Sequence, residues 1–220
     1  MIDILVPILG RSPLEMLKTL EASTSTPFRL IFICSPGDDE GIAVCNVTGQ
    51  EVWVVEWEPG RADFAKKINW AFAKTDSEWV FQAADDIRFS DGWDVEALKV
   101  GERADVVGTN DLHNPSVKAR LHSTHTLFRR SYIEEYGGTF DGSGAVFSEA
   151  YDHQWVDNEF IELAKRRGKW GFAQRSVVEH LHPVWNLALW DSTYEKAFRE
   201  TAEDQALFAR RQRLMQAGVR

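Results

Sequence analysis

Residues 79–86, Trp-Val-Phe-Gln-Ala-Ala-Asp-Asp, end an apolar, strand-like run on two adjacent carboxylates, Asp85 and Asp86. At the carboxyl end of a strand in an open α/β sheet, such side chains can hold a divalent metal against a phosphorylated ligand. The competing reading is an Asp-rich surface turn, and further donor groups in the chain weigh against it. His180 and His182 close a later strand-like run, where alternation sends both to one side. Imidazole together with carboxylate suits Mn²⁺ or a related divalent ion. Asp157 and Glu159 open a helix-patterned segment, where the helix dipole alone already favours acids. In a functional reading either one is a candidate general base, with Asp152 and His153 just upstream.

The elements that position these groups alternate in type. Ile2 to Val6 reads as a strand stopped by Pro7, and Ser12-Pro13-Leu14-Glu15 has the form of a capping box opening a helix to about Ala22. Phe28 to Cys34 is almost continuously apolar, as a strand buried on both faces requires. Glu51 to Trp57 and Glu78 to Ala83 are further strands, separated by helical spacing of Phe64, Ile68, Ala71 and Phe72. Strands alternating with helices imply a right-handed, mostly parallel sheet. The stretch from Gly41 to Gln50 carries no clear pattern.

Beyond Trp93 the sequence predicts a short helix near Asp94 to Val100 and strands at Ala104 to Gly108 and Thr124 to Arg129. A capping box at Ser131 and Glu134 then precedes a helix ending at Gly137-Gly138. Thr139 to Val146 reads as a mobile loop, and a stronger helix covers about Trp155 to Arg167, stopped by Gly168. Two strand-like segments, Trp170 to Ala173 and Val177 to His180, follow. From Ser192, another Ser-x-x-Glu box, an amphipathic helix runs toward Ala217.

The chain of 220 residues, 44% of them hydrophobic, is long enough for one large domain with a real core. A formal net charge of −9 argues against a broad nucleic-acid-binding surface. No apolar stretch approaches the roughly 20 residues needed to span a bilayer. The first residues lack the basic flank of a signal peptide, so the expected compartment is the cytoplasm. Cys34 and Cys45 have no further thiol at metal-ligand spacing, and a structural disulfide is not expected.

Taken in order, these features resemble the family 2 type of GT-A glycosyltransferases. The resemblance rests on Val6-Pro7 with Gly10-Arg11, the acid-bearing loop Ser35 to Glu40, Lys66-Lys67-Ile68-Asn69-Trp70-Ala71, and the twin Asp. Later Asp157-Asn158-Glu159, Ala164, Gly168 and His180 extend it, so that it spans about residues 2 to 185. It implies an α/β three-layer sandwich with a mostly parallel central sheet, residues 1–90 binding the nucleotide sugar and 91–190 the acceptor. Residues 191–220 add the C-terminal helix, which packs on the domain or on a second subunit.

The same resemblance implies roles. Asp86, with Asp85, matches the Asp-x-Asp element that holds the metal and the ribose or diphosphate, although Ala84 stands where its first acid is expected. Asp39 or Asp38 would meet the nucleobase, with Pro7 and Arg11 lining that pocket, while Arg61 and Lys66 meet phosphates. Asp157 matches the second residue of the family's Glu-Asp element and would be the base, with Val156 in place of the Glu and Glu159 as the other candidate. His182 or His180 would complete the ligands of Mn²⁺ or Mg²⁺. The implied reaction moves a sugar from a nucleoside-diphosphate sugar, most simply a UDP-sugar, to a hydroxyl acceptor with inversion. A catalytically decayed sugar- or nucleotide-binding module is the alternative from another class. A sugar nucleotidyltransferase fits less well, because the turn Pro7-Ile8-Leu9-Gly10-Arg11-Ser12 is not a Gly-rich phosphate loop.

Overall fold

The runs of Val, Ile, Leu and Phe near the N-terminus build the centre of a single sheet. Its strands are β1 (Ile2–Pro7), β2 (Phe28–Cys34), β3 (Glu51–Val54), β4 (Trp79–Gln82), β5 (Ile87–Phe89), β6 (Val106–Asn110), β7 (Thr126–Arg129) and β8 (Trp170–His180). The structure, a computed structural model, describes residues 1–142 and 144–216. The strands lie in the order β3-β2-β1-β4-β7-β6-β8-β5. The first four pair in parallel, β7 runs antiparallel to β4 and β6, β6 and β8 are parallel, and β5 closes the edge antiparallel to β8.

Helices cover both faces. They are α1 (Leu14–Ser23), α2 (Asp39–Asn46), α3 (Asp63–Phe72), α4 (Trp93–Gly101), α5 (Pro115–Lys118), α6 (Arg130–Tyr136), α7 (Val156–Arg166) and α8 (Ser192–Gln216). Alternation along β2 sends Leu30, Phe32 and Cys34 into one core with α1 and α4, and Ile31 and Ile33 into the other with α3, α6 and α7. The expected three-layer α/β sandwich is therefore present, and the continuous apolar run of β2 follows from burial on both faces. Leu207 and Phe208 of α8 pack on the second core, so this helix lies against its own domain.

Several local expectations are corrected. The Ser12 capping box does not close: α1 starts at Leu14 with Pro13 at its cap, and the Ser12 hydroxyl accepts from Leu14 N at 3.5 Å without a reciprocal bond to Glu15. The helix expected from Ser131 starts at Arg130, without a side-chain cap. At α8 the cap is Asp191, whose Oδ1 accepts from Tyr194 N at 2.9 Å, rather than Ser192. The unpatterned stretch after Gly41 lies largely in α2, and β3 ends at Val54 rather than Trp57. β8 is one strand where two segments were expected, and Ala217 lies outside the described residues. The stretch read as a loop, Thr139 to Val146, is anchored at its far end, where the buried Val146 and the next residue, Phe147, donate their N–H groups to Asn69 Oδ1 at 3.0 Å. The cysteines are free and buried.

Candidate active site

The carboxyl ends of β1 and β2 are tied together before any ligand is considered. Asp38 Oδ2 accepts from Gly10 N at 2.8 Å, and Asp38 Oδ1 accepts from Gly41 N at 3.1 Å, capping α2. A Cβ at Gly41 would lie 2.4 Å from Asp38 Oδ2, so this close approach requires glycine. From α3 the buried Lys67 donates to Ile8 O at 2.8 Å and pairs with Asp63 at 2.8 Å. The loop carrying Pro7 and Arg11 is thereby braced from both sides, while Asp39 is exposed on the first turn of α2.

Arg11 leads from that loop to the twin Asp. Its Nη1 lies 3.7 Å from Asp85 Oδ1 and 3.5 Å from Asp86 Oδ2, and its Nε and Nη2 donate to Asp191 at 2.8 and 3.0 Å. Asp86 Oδ2 also accepts from Tyr194 Oη at 2.5 Å and lies 3.3 Å from His180 Nε2. Asp86 Oδ1, equally buried, has no hydrogen-bond partner among the described residues. Burial alone pushes the Asp86 carboxyl up, but His180 and Tyr194 outweigh it and hold the group well below the usual carboxylate range. Asp85 moves the other way: burial, then the charge on Asp86, push it up to about 7.

The histidines gather at the same corner by a different route from the one expected. The strand stops at His180, so alternation does not carry His182. Instead Leu181 N donates to Asp86 O at 2.8 Å and the chain turns, bringing the His180 and His182 rings to 5.1 Å. His182 Nδ1 accepts from Val184 N at 3.2 Å, which leaves Nε2 for a ligand. Burial, then the neighbouring His180, push His182 down to about 4.

Asp157 stands on the first turn of α7, with Oδ2 3.2 Å from His122 Nε2 and Oδ1 accepting from Asn158 N at 2.8 Å. Burial opposes the charge, but His122 wins and keeps the Asp157 carboxyl below its ordinary range. His125 belongs to the same cluster: its ring lies 5.2 Å from the His180 ring, and it feels the charge of both Asp86 and Asp157. Burial and then His180 push it down to about 3, so it is neutral. Sequence reasoning missed His122 and His125, which lie in the polar stretch before β7 without any spacing signal.

Other expected groups lie elsewhere. Glu159 is buried, and its oxygens take Arg211 Nε and Nη2 at 2.7 and 2.8 Å, Tyr151 Oη at 2.6 Å and Phe140 N at 2.7 Å. Arg61 donates to Ala150 O at 2.6 Å and lines a cavity of about 610 Å³ with Asp152, Glu203 and Arg210. Lys66 lines a second one, of about 500 Å³, with Trp57 and Trp70. No hydrogen bond or ion pair among the described residues joins Arg61 or Lys66 to the twin Asp.

A divalent metal at this corner would need donors from outside the protein as well as from it. Among the described residues no three His, Cys, Asp or Glu side chains are grouped to hold one. A cage supplied wholly by the protein is not what such an ion requires beside phosphates, where one or two carboxylates, phosphate oxygens and water share the coordination. The unpartnered Asp86 Oδ1 and the free Nε2 of His182 are donors of the right kind, so the residues fit.

No protein-family profile matches the sequence, and no curated protein matches it. The fold does have solved counterparts. S. aureus TarS 1-349 in complex with UDP-GlcNAc superposes with a TM-score of 0.62 at 14% identity, over 80% of this chain and 57% of that one. A Pyrobaculum calidifontis mannosyltransferase in complex with GDP-Man and Mn²⁺ gives 0.61 at 16% identity, over 82% and 57%. Glucosyl-3-phosphoglycerate synthase from Mycobacterium tuberculosis, with Mn²⁺, UDP and phosphoglyceric acid, gives 0.56 at 14% identity, over 82% and 70%. The chain thus spans less than two-thirds of the first two proteins. These likenesses define its architecture as the GT-A fold of nucleotide-diphospho-sugar transferases.

Proposed function

We propose that the chain is a metal-dependent glycosyltransferase that moves a sugar from a nucleoside-diphosphate sugar, a UDP-sugar in the simplest case, to a hydroxyl acceptor with inversion. The observation that carries this reading is Asp86: an ionised, buried carboxylate at the switch from β4 to β5, with one oxygen unpartnered, in a fold whose solved relatives hold UDP, UDP-GlcNAc or GDP-Man. Asp86 Oδ1 with His182 or His180 would hold Mn²⁺ or Mg²⁺, which when bound neutralises charge developing on the leaving diphosphate.

The chain's own groups supply the rest. Arg11 places a guanidinium beside the twin Asp, where it can meet a diphosphate. Asp85 is assigned to the ribose, and Asp38 and Asp39 to the nucleobase side, with Pro7 in the same rim. Asp157 accepts the acceptor's proton as it attacks the anomeric carbon, and His122 holds that carboxylate in place and ionised. Glu159 is assigned to holding α8 through Arg211 rather than to proton transfer. Protein, glycan, lipid-linked and small-molecule acceptors all suit a hydroxyl-directed base.

A panel of UDP- and GDP-sugars, screened by thermal shift with and without Mn²⁺, tests the reading. A donor that raises the melting temperature only with Mn²⁺, and then releases nucleoside diphosphate on incubation, is the expected result. Donor binding without any release would favour the binding module instead.

A further inference from the structure

The Asp86 carboxylate is loaded on one side only. Oδ2 accepts from Tyr194 Oη at 2.5 Å and faces His180 Nε2 at 3.3 Å and Arg11 Nη1 at 3.5 Å, whereas Oδ1 is buried without a partner among the described residues. A carboxylate fixed through one oxygen cannot rotate freely, and the other oxygen is left as a directed lone-pair donor. Such supporting bonds orient a metal-ligating group and set its affinity. The supporting hydroxyl comes from the first turn of α8, beyond the stretch that carries the resemblance.

That turn is itself fixed. Asp191 caps α8 through Tyr194 N at 2.9 Å and grips Arg11 at 2.8 Å, while the Arg11 guanidinium lies 3.7 Å from the centre of the Tyr194 ring. His182 packs edge-on against the same ring, with centroids 4.8 Å apart. One tyrosine thus touches the carboxylate, the cation beside it and the imidazole expected to share the metal.

We propose that Tyr194 is a positioning residue for the metal ligand Asp86, and that Asp191 acts with it by drawing Arg11 away from the coordinating oxygen. This rests on the function proposed above. The first turn of α8 then completes the donor site, and the role of the C-terminal helix extends beyond packing.

Mn²⁺ binding in the presence of UDP, followed by loss of the free-ion EPR signal, tests this on the full chain. Tyr194→Phe keeps the ring and removes only the hydroxyl; it should weaken Mn²⁺ about tenfold, the lower end of what loss of a supporting partner costs. Asp191→Asn, a second variant at a half-exposed position, should shift the affinity in the same direction. Unfolding temperatures without Mn²⁺ and UDP should stay near wild type in at least one of them, and turnover at saturating Mn²⁺ should fall less than the Mn²⁺ affinity. Unchanged or tighter Mn²⁺ binding in both variants would overturn the assignment while leaving the wild-type function standing. No Mn²⁺ binding by wild type with UDP would overturn both.

Discussion

Asp85 with Asp86, and Asp157 with Glu159, are two pairs of acids close in sequence that the fold treats in opposite ways. In the first pair both members stay at one corner, each beside Arg11, and one oxygen of Asp86 is unpartnered among the described residues. The second pair is split by the helix that carries it. Asp157 faces His122 and feels the nearby His125, while Glu159 turns inward to Arg211, Tyr151 and Phe140 N. A carboxylate buried behind an arginine fork, a tyrosine hydroxyl and a backbone N–H, as Glu159 is, holds structure together. One held only by a histidine and the next backbone N–H, as Asp157 is, or with an oxygen left over, as Asp86 is, sits beside other titratable groups and can serve chemistry; neighbouring position in sequence does not tell them apart.

The contrast can be broken by four substitutions. Asp86→Ala should have the largest effect, because a metal at the leaving group contributes several kcal/mol to the transition state; kcat/KM should fall roughly a thousandfold. Asp157→Asn should lower turnover by about a hundred- to ten-thousandfold while nucleotide-sugar affinity, measured by calorimetry, stays near wild type. Glu159→Ala should act on stability instead. It leaves Arg211 with Asp141 as its carboxylate partner among the described residues, at a cost of about 3 kcal/mol, which for a chain of this size lowers the melting temperature by roughly 6–12 °C. The folded fraction should keep its turnover, and replacing both Glu159 and Arg211 by apolar residues should recover part of the loss. Equal losses of turnover in the Asp157 and Glu159 variants would erase the distinction.

Asp204→Ala gives the smallest effect. Its carboxylate accepts from Asp152, His153 and Gln154 N at 2.8, 2.9 and 2.8 Å, joining the middle of α8 to the chain that leads into α7. Loss of these bonds should cost about 1–3 kcal/mol, read by chemical denaturation. Faster hydrogen exchange in residues 150–155 should accompany it.

The central strands and the twin Asp were legible because burial on both faces and a strand-end carboxylate leave local marks in sequence. The helix carrying Asp157 was legible from its periodicity. The corner around Asp86 was only half so: Arg11 meets Asp191 across 180 residues and Tyr194 meets Asp86 across 108, and no local pattern reports such pairs. Lys66 and Lys67 differ by one position, yet helix phase buries Lys67 under the β1 loop and leaves Lys66 in an outer pocket. The Ser-x-x-Glu motif at Ser192 pointed to the right helix end, but the capping carboxylate came one residue earlier and was also bound to Arg11.

The most direct test of the account is nucleoside diphosphate release from UDP- and GDP-sugars with Mn²⁺, compared among wild type, Asp86→Ala and Asp157→Asn. Release by wild type from at least one donor is predicted. Asp86→Ala should lose both release and Mn²⁺-dependent donor binding, and Asp157→Asn should bind the donor normally but turn it over far more slowly. Near-normal release by Asp86→Ala, or by Asp157→Asn with acceptor present, would contradict it.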